Sequence, residues 1–209
     1  GARPFTAREA LGAVLQVAEA LDFAHRHEVI HRDVKPENVL QATEGHYKVA
    51  DFGIARWSGQ DEVHTKTGVI LGTPAYIAPE QIVGEPVSAS SDIYAVGVLL
   101  FELLTSRRPF EADHPLKLMQ MHIDEPPPAP STLRPGLPAS VDALVIRMLA
   151  KRPADRPATA AALRDELLAL VATLPETRSG VVTRSGARSA AGAAQATAPT
   201  SMAPTAAAS

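Results

Sequence analysis

Between Ser91 and Ser106 the chain reads SDIYAVGVLLFELLTS, apolar on nearly every face. A helix that is hydrophobic all round has to be buried at the centre of a domain. Whatever this chain folds into is therefore built around that segment, with Pro109 marking its end. A membrane span is the competing use of such a run, but it needs roughly 18–20 apolar residues. The longest candidate, Ile93–Phe101, stops at Glu102. With 209 residues, 45% of them hydrophobic, the chain can form one domain of ordinary size with a real core.

Charge and cysteine content narrow the function classes. The formal net charge is −3 and the sequence pI is near 6.2, which leaves no basic footprint for nucleic acid and no strong pull toward anionic lipid. The absence of cysteine excludes disulfides, thiolate metal sites and thiol catalysis, and fits a reducing compartment. The chain opens on Gly1 with no signal peptide, which reads as a fragment, a processed product or an incomplete reading frame.

Two regions differ in composition. Residues 175–209 are rich in Ala, Ser, Thr and Pro and contain no aromatic residue. Such a segment buries too little apolar surface to offset its ordering entropy, so it is expected to be a disordered tail or linker. Residues 1–174 are expected to form one globular, mainly helical domain. Thr6 and Glu9 make a capping-box pattern, and Leu11, Val14, Leu15, Ala18, Leu21 and Phe23 follow at helical spacing, predicting a helix from about Ala7 to His25. A short extended stretch follows, with Val29 and Ile30 pointing inward. Two short strands are expected around a turn at Glu44-Gly45, then an irregular stretch from Trp57 to Glu80 with Trp57 as a loop anchor. Helices are expected near Pro115–His122, Ser140–Lys151 and Thr159–Leu174. The proline-rich connection Asp124–Pro138 reads as a rigid loop within the domain rather than a polyproline ligand.

The chemistry is concentrated in HRDVKPENVL, His31–Leu40. Asp33 sits on a loop after an extended segment, with Lys35 two residues on and Asn38 five on; Asp51 follows in a DFG triplet at the end of the strand pair. A carboxylate can accept the proton of an alcohol, and a lysine can neutralise charge on a transferred phosphoryl oxygen. An Asn carbonyl and a second carboxylate are hard oxygen ligands suited to Mg²⁺. Together these are the parts phosphoryl transfer requires. A zinc site from His25, His27 and His31 is the weaker reading, because His25 suits a helix C-terminus.

HRDVKPENVL, DFG and APE (Ala78–Glu80), in this order and spacing, resemble the catalytic loop, metal-binding motif and activation-segment end of protein kinases. SDIYAVGVLL and RPADRP resemble two later motifs of the same family, and the likeness covers about residues 1–174. It implies an α+β, mainly α fold: a kinase C-terminal lobe with a short β-ribbon pair carrying the catalytic loop (31–38) and DFG, and an activation segment over 51–80. It implies Asp33 as catalytic base, Lys35 on the γ-phosphate, Asn38 and Asp51 as ligands of Mg²⁺ or Mn²⁺, and Leu40 under the adenine of ATP. Thr73 matches the hydroxyl residue that bonds back to the catalytic Asp and Lys. Lys35 and Thr73 both resemble the Ser/Thr-specific branch, so protein Ser and Thr hydroxyls are the implied substrates.

Other matches are supports. Glu80 and Arg156 resemble the buried ion pair that anchors the activation segment, and Asp92 the helix-start carboxylate that holds the catalytic-loop backbone. His31 and Phe52 resemble members of the hydrophobic column between lobes. Arg32, with Arg56 sharing the charge, resembles the site that pairs with a phosphate on the activation loop, for which Thr65 and Thr67 are the acceptors.

One part of the family pattern is missing from these 209 residues. No G-x-G-x-x-G is present, nor room for a small β-sheet lobe ahead of the first helix. The chain therefore reads as a C-lobe whose N-lobe belongs to the intact protein, inactive by itself, with an exposed apolar interlobe face around Leu40 and Phe52. A non-catalytic scaffold module and a kinase completed by a separate N-lobe chain are the alternatives. The style of GTPAYIAPEQ and the Ala/Arg/Pro-rich composition resemble bacterial kinases, which implies a cytoplasmic domain, either free or as the cytoplasmic part of a membrane-anchored kinase.

Overall fold

The computed structural model describes residues 5–52 and 74–175. The chain divides into two units, Gly1–Thr177 and Arg178–Ser209, and the second lies wholly outside the described residues. The described part is mostly helical with one small antiparallel hairpin.

Helix α1 spans Ala7–Arg26. Its start is set by the capping box: the Glu9 N–H donates to Thr6 Oγ1 at 3.2 Å, and the Thr6 N–H donates to Glu9 Oε2 at 2.8 Å. These bonds satisfy two donors that a helix start would otherwise leave unpaired. Strands β1 (Val39–Thr43) and β2 (His46–Val49) pair antiparallel, with Val39 opposite Val49 and Gln41 opposite Tyr47. Register slips by one residue between Gln41 and Thr43, the mark of a bulge beside a tight turn. Gly45 supplies the positive φ, 73°, that the turn requires. Gln16 on α1 pins the hairpin from below, donating to the Gly45 carbonyl at 2.9 Å and accepting from the Tyr47 N–H at 3.0 Å.

Helix α3 (Ala89–Thr105) lies at the centre of the first unit: every residue from Ser91 to Phe101 is buried. It packs against α1, α6 (Ala139–Met148) and α7 (Ala160–Thr173) in one continuous core that includes Leu11, Leu21, Phe101, Met148 and Leu163. Arg8 on α1 donates to the Val171 and Leu174 carbonyls, capping the end of α7. Three shorter helices complete the order: α2 (Pro79–Val83), α4 (Pro115–Asp124) and α5 (Pro130–Leu133). No helix among the described residues is long and apolar enough to cross a membrane.

Several local expectations are corrected. Val29 does not point inward; it is 42% exposed, because Glu28 takes a left-handed φ of 61° and turns the chain away from α1. Phe23 fits the helical spacing but is 62% exposed and stacks on His27, their ring centroids 4.5 Å apart. Its angular position falls outside the buried stripe that Leu21 and Ala24 complete. The expected irregular stretch ends earlier than Glu80: a single 3₁₀ turn at Pro74–Tyr76 is followed by α2, whose Pro79 occupies a first-turn position where no N–H is needed. The proline-rich connection contains α5, one turn of helix.

Gly97 on α3 packs tightly against the end of α6. A Cβ there would stand 2.9 Å from Met148 Cβ and 3.1 Å from Leu149 Cδ2. Overpacking of this kind typically costs about 1–3 kcal/mol. Gly97→Ala is expected to lower the urea midpoint of unfolding without changing its slope; an unchanged midpoint would mean the two helices can separate freely.

Candidate active site

The loop from His31 to Asn38 is held by one carboxylate. Asp92, buried in the first turns of α3, accepts the His31 N–H at 2.9 Å, the Arg32 N–H at 2.8 Å and a hydrogen bond with His25 Nε2 at 2.7 Å. Arg32 has a left-handed φ of 66°, a conformation that costs a non-glycine residue energy and persists only when its surroundings over-determine it. The bond from its own amide to Asp92 is that restraint. His25 was expected to serve only the end of α1; its bond to Asp92 ties α1 to the loop as well.

His31 is fully buried and carries the loop across to the next segment. Its Nδ1 accepts the Asp33 N–H at 3.3 Å and its Nε2 donates to the Ala50 carbonyl at 2.9 Å. One neutral tautomer, protonated on Nε2, satisfies both. The ring packs on Phe52 with centroids 4.7 Å apart. A second strut is the Ala50 N–H, which donates to the Asn38 carbonyl at 2.8 Å. The catalytic-loop candidates and Asp51 are thereby brought onto one frame.

Within that frame Asp33 is bracketed. Lys35 Nζ donates to its Oδ2 at 2.8 Å, and Asn38 Nδ2 donates to the same oxygen at 3.2 Å and to the Asp33 carbonyl at 2.7 Å. The Asn38 amide nitrogen is engaged by Asp33, which leaves its carbonyl oxygen as the group available to an ion. Asp51, at φ 54°, holds an exposed carboxylate. Among the described residues no group of three or more His, Cys, Asp or Glu is placed so as to hold a metal ion. A donor set of one amide oxygen and one carboxylate fits Mg²⁺, which keeps several waters and takes few protein ligands besides substrate phosphates. Leu40 on β1 is 54% exposed, whereas Phe52 is half-buried against the core, so the expected apolar face centres on Leu40.

The second anchor lies at α2. Arg156 pairs with Glu80 through two parallel bonds of 2.8 Å, both side chains buried. Its remaining N–H groups donate to the carbonyls of Ala150, Lys151 and Ser90. All five guanidinium donors are thus paired. Ser91 Oγ adds a bond to Glu80 at 2.7 Å. Burial alone would raise the Glu80 carboxyl, but the Arg156 and Ser91 hydrogen bonds hold it below its ordinary 4.5.

Sequence reasoning missed Tyr76, whose hydroxyl donates to Glu102 on α3. Burial, then Glu102, push this phenol far above its usual range. The signal was a hydroxyl aromatic beside the APE triplet and an acid interrupting an otherwise apolar helix. Arg56, Thr65, Thr67, Thr73 and Trp57 lie outside the described residues.

Comparison with known proteins agrees with this geometry. The protein kinase domain family matches residues 2–168, and the chain belongs to it. It is 44% identical over 192 residues to the serine/threonine-protein kinase PksC of Streptomyces coelicolor, covering 90% of this chain and 34% of that protein. It is 40% identical to the probable serine/threonine-protein kinase pknA2 of Bifidobacterium longum, over 82% of this chain and 22% of that one. Against the serine/threonine-protein kinase PknB of Mycobacterium tuberculosis the identity is 40%, over 79% and 26%. The chain thus spans between about a fifth and a third of these relatives' lengths.

Arg156→Met would leave Glu80 charged and unpaired in the core, at a cost of about 3–5 kcal/mol. Because the folded-state carboxyl lies below 4.5, the pair's stabilisation is complete above that pH and is lost as the pH falls through the lower folded value. The stability gap between wild type and Arg156→Met should therefore narrow on acidification, read by denaturant titration across the acid range. A gap that stays constant would show that the pair is not coupled to the Glu80 proton.

Proposed function

We propose that the whole protein is a serine/threonine protein kinase, transferring the γ-phosphoryl group of ATP to Ser and Thr hydroxyls of proteins, and that this chain supplies its C-terminal lobe. The observation that carries the reading is the bracketed Asp33: its carboxylate is held by Lys35 and Asn38 on a loop bonded directly to the segment that leads to Asp51.

The roles follow from the chemistry of each group. Asp33 orients the substrate hydroxyl and accepts its proton as the oxygen attacks the γ-phosphorus and the bond to the ADP oxygen breaks. Lys35 offsets charge on the transferred oxygens, and its closeness to Asp33 keeps that carboxylate in place. Asn38, through its amide oxygen, and Asp51 would hold Mg²⁺. An ion held there would supply positive charge to offset the negative charge developing on the transferred phosphoryl group. Leu40 offers its exposed side chain to the adenine. Thr73 would bond back to Asp33 and Lys35. A phosphate on Thr65 or Thr67 would be met by Arg32 and Arg56.

In this reading residues 1–174 are the kinase lobe and 175–209 a linker. The domain acts in the cytoplasm, and an N-terminal lobe completes the nucleotide site in the whole protein. The lengths of the relatives and the absence of a Gly-rich phosphate loop in these residues support that placement.

A polypeptide limited to the 209 residues is expected to phosphorylate a Ser/Thr peptide slowly at best, and a form extended by an N-lobe to do so readily with Mg·ATP. In the extended form, Asp33→Asn should lower kcat by roughly 10²–10⁴-fold, and Asp51→Ala should abolish Mg²⁺-dependent ATP binding by calorimetry. An extended protein that binds Mg·ATP but transfers no phosphate to any hydroxyl would make this a binding module.

A further inference from the structure

The two ends of the hairpin are held in different ways. At the open end Val39 and Val49 pack against the main core. There the Ala50 N–H donates to the Asn38 carbonyl at 2.8 Å, and the Ala50 carbonyl accepts from His31 Nε2 at 2.9 Å. At the turn end every residue from Leu40 to His46 is exposed. A two-stranded ribbon is marginally stable in water unless it packs against another element. A strand with little buried on either face also specifies its register poorly, and the pairing is already irregular between Gln41 and Thr43.

The polar hold on the turn end is the carboxamide of Gln16, half-buried on α1. Its Oε1 accepts the Tyr47 N–H at 3.0 Å, and its Nε2 donates to the Gly45 carbonyl at 2.9 Å and to the Gly12 carbonyl at 3.2 Å. Both amide hydrogens and the amide oxygen are engaged, so one orientation fits. Turned over, the group would set N–H against N–H at Tyr47 and oxygen against oxygen at Gly45. Gly45 and Tyr47 flank His46, and a carbonyl on one side with an N–H on the other is what an adjoining strand would take from this edge. Gln16 therefore stands in for a third strand, fixed to a helix. The Phe5 and Tyr47 rings, centroids 6.5 Å apart, meet at the same place.

Leu40 lies between the two holds. It follows Asn38 by two residues, stands opposite Lys48 in the register and is exposed. A ribbon anchored only at Asn38 and Ala50 can tilt about that anchor, carrying Leu40 with it while Asn38 and Asp51 stay in place. Bonds at Gly45 and Tyr47 remove that freedom.

We propose that Gln16 is a positioning residue for ATP: by pinning the turn end of the hairpin to α1 it fixes Leu40 under the adenine. It acts on nucleotide binding and not on the phosphoryl-transfer step. The adenine part rests on the kinase reading; the pin does not.

The pin is read in the 209-residue chain by amide exchange, followed residue by residue with NMR. The reporters are Leu40 and Lys48, which pair across the ribbon and are not bonded to Gln16. Gln16→Leu removes donor and acceptor together, and is expected to speed exchange at both reporters about tenfold, with Ala50 and α3 unchanged. Gln16→Glu keeps the acceptor for Tyr47 but loses the donor to Gly45, and should fall between. In the N-lobe-extended form, Gln16→Leu should raise the ATP KM about fivefold and leave kcat and the peptide KM unchanged. Unchanged exchange at Leu40 and Lys48 overturns the proposal. So do faster exchange that spreads to α3, a fall in kcat, and a loosened ribbon with an unchanged ATP KM. If Gln16→Leu does not fold, Gln16→Glu decides by the same readouts. If the extended form binds ATP but transfers no phosphate, the kinase reading falls, and exchange with ATP affinity by calorimetry still decides for Gln16. No ATP binding at all overturns both.

Discussion

The buried carboxylate of Asp92 is the constraint on which the site depends. A charge inside an apolar helix bundle is tolerable only when it is fully hydrogen-bonded, and Asp92 finds its partners in the backbone amides of His31 and Arg32 and the ring of His25. The requirement works in both directions. The loop needs Asp92 to hold Arg32 in a left-handed conformation, and Asp92 needs the loop to stay buried. A helix that is apolar on nearly every face thereby fixes the position of a charged loop.

Glu80 and Arg156 apply the same logic a second time. Replacing such a pair by apolar residues often costs nothing in stability, whereas breaking it is expensive. Its use here is placement. Arg156 collects carbonyls from Ala150, Lys151 and Ser90 while gripping Glu80, so α2, the start of α3 and the connection between α6 and α7 are joined at one guanidinium. Tyr94, packed beneath that guanidinium, passes the restraint on toward α4. Residues separated by long stretches of chain are thus joined in one polar network around Arg156.

The elements that were legible in advance are those with a local cause. The capping box and apolar stripe placed α1, the glycine turn placed the hairpin, and the all-round apolar run placed α3 at the centre. Short α2 and α5 were not legible, because a single turn of helix has no periodicity to read and owes its existence to packing. Val29 and Phe23 were misplaced for a related reason. Hydrophobicity says that a side chain prefers burial, but the turn at Glu28 and the angular limit of the α1 interface decide whether it is granted.

Residue order alone determined the family, the chemical inventory of the loop and the burial of α3, because spacing along a chain is enough to specify a motif or a helix face. Only the tertiary structure decided which groups meet. His25 with Asp92, Tyr76 with Glu102, and His122 with Tyr94 are separated by 67, 26 and 28 positions. No local pattern encodes such pairs. They arise because burying a polar atom demands a partner, and the fold determines which one is within reach.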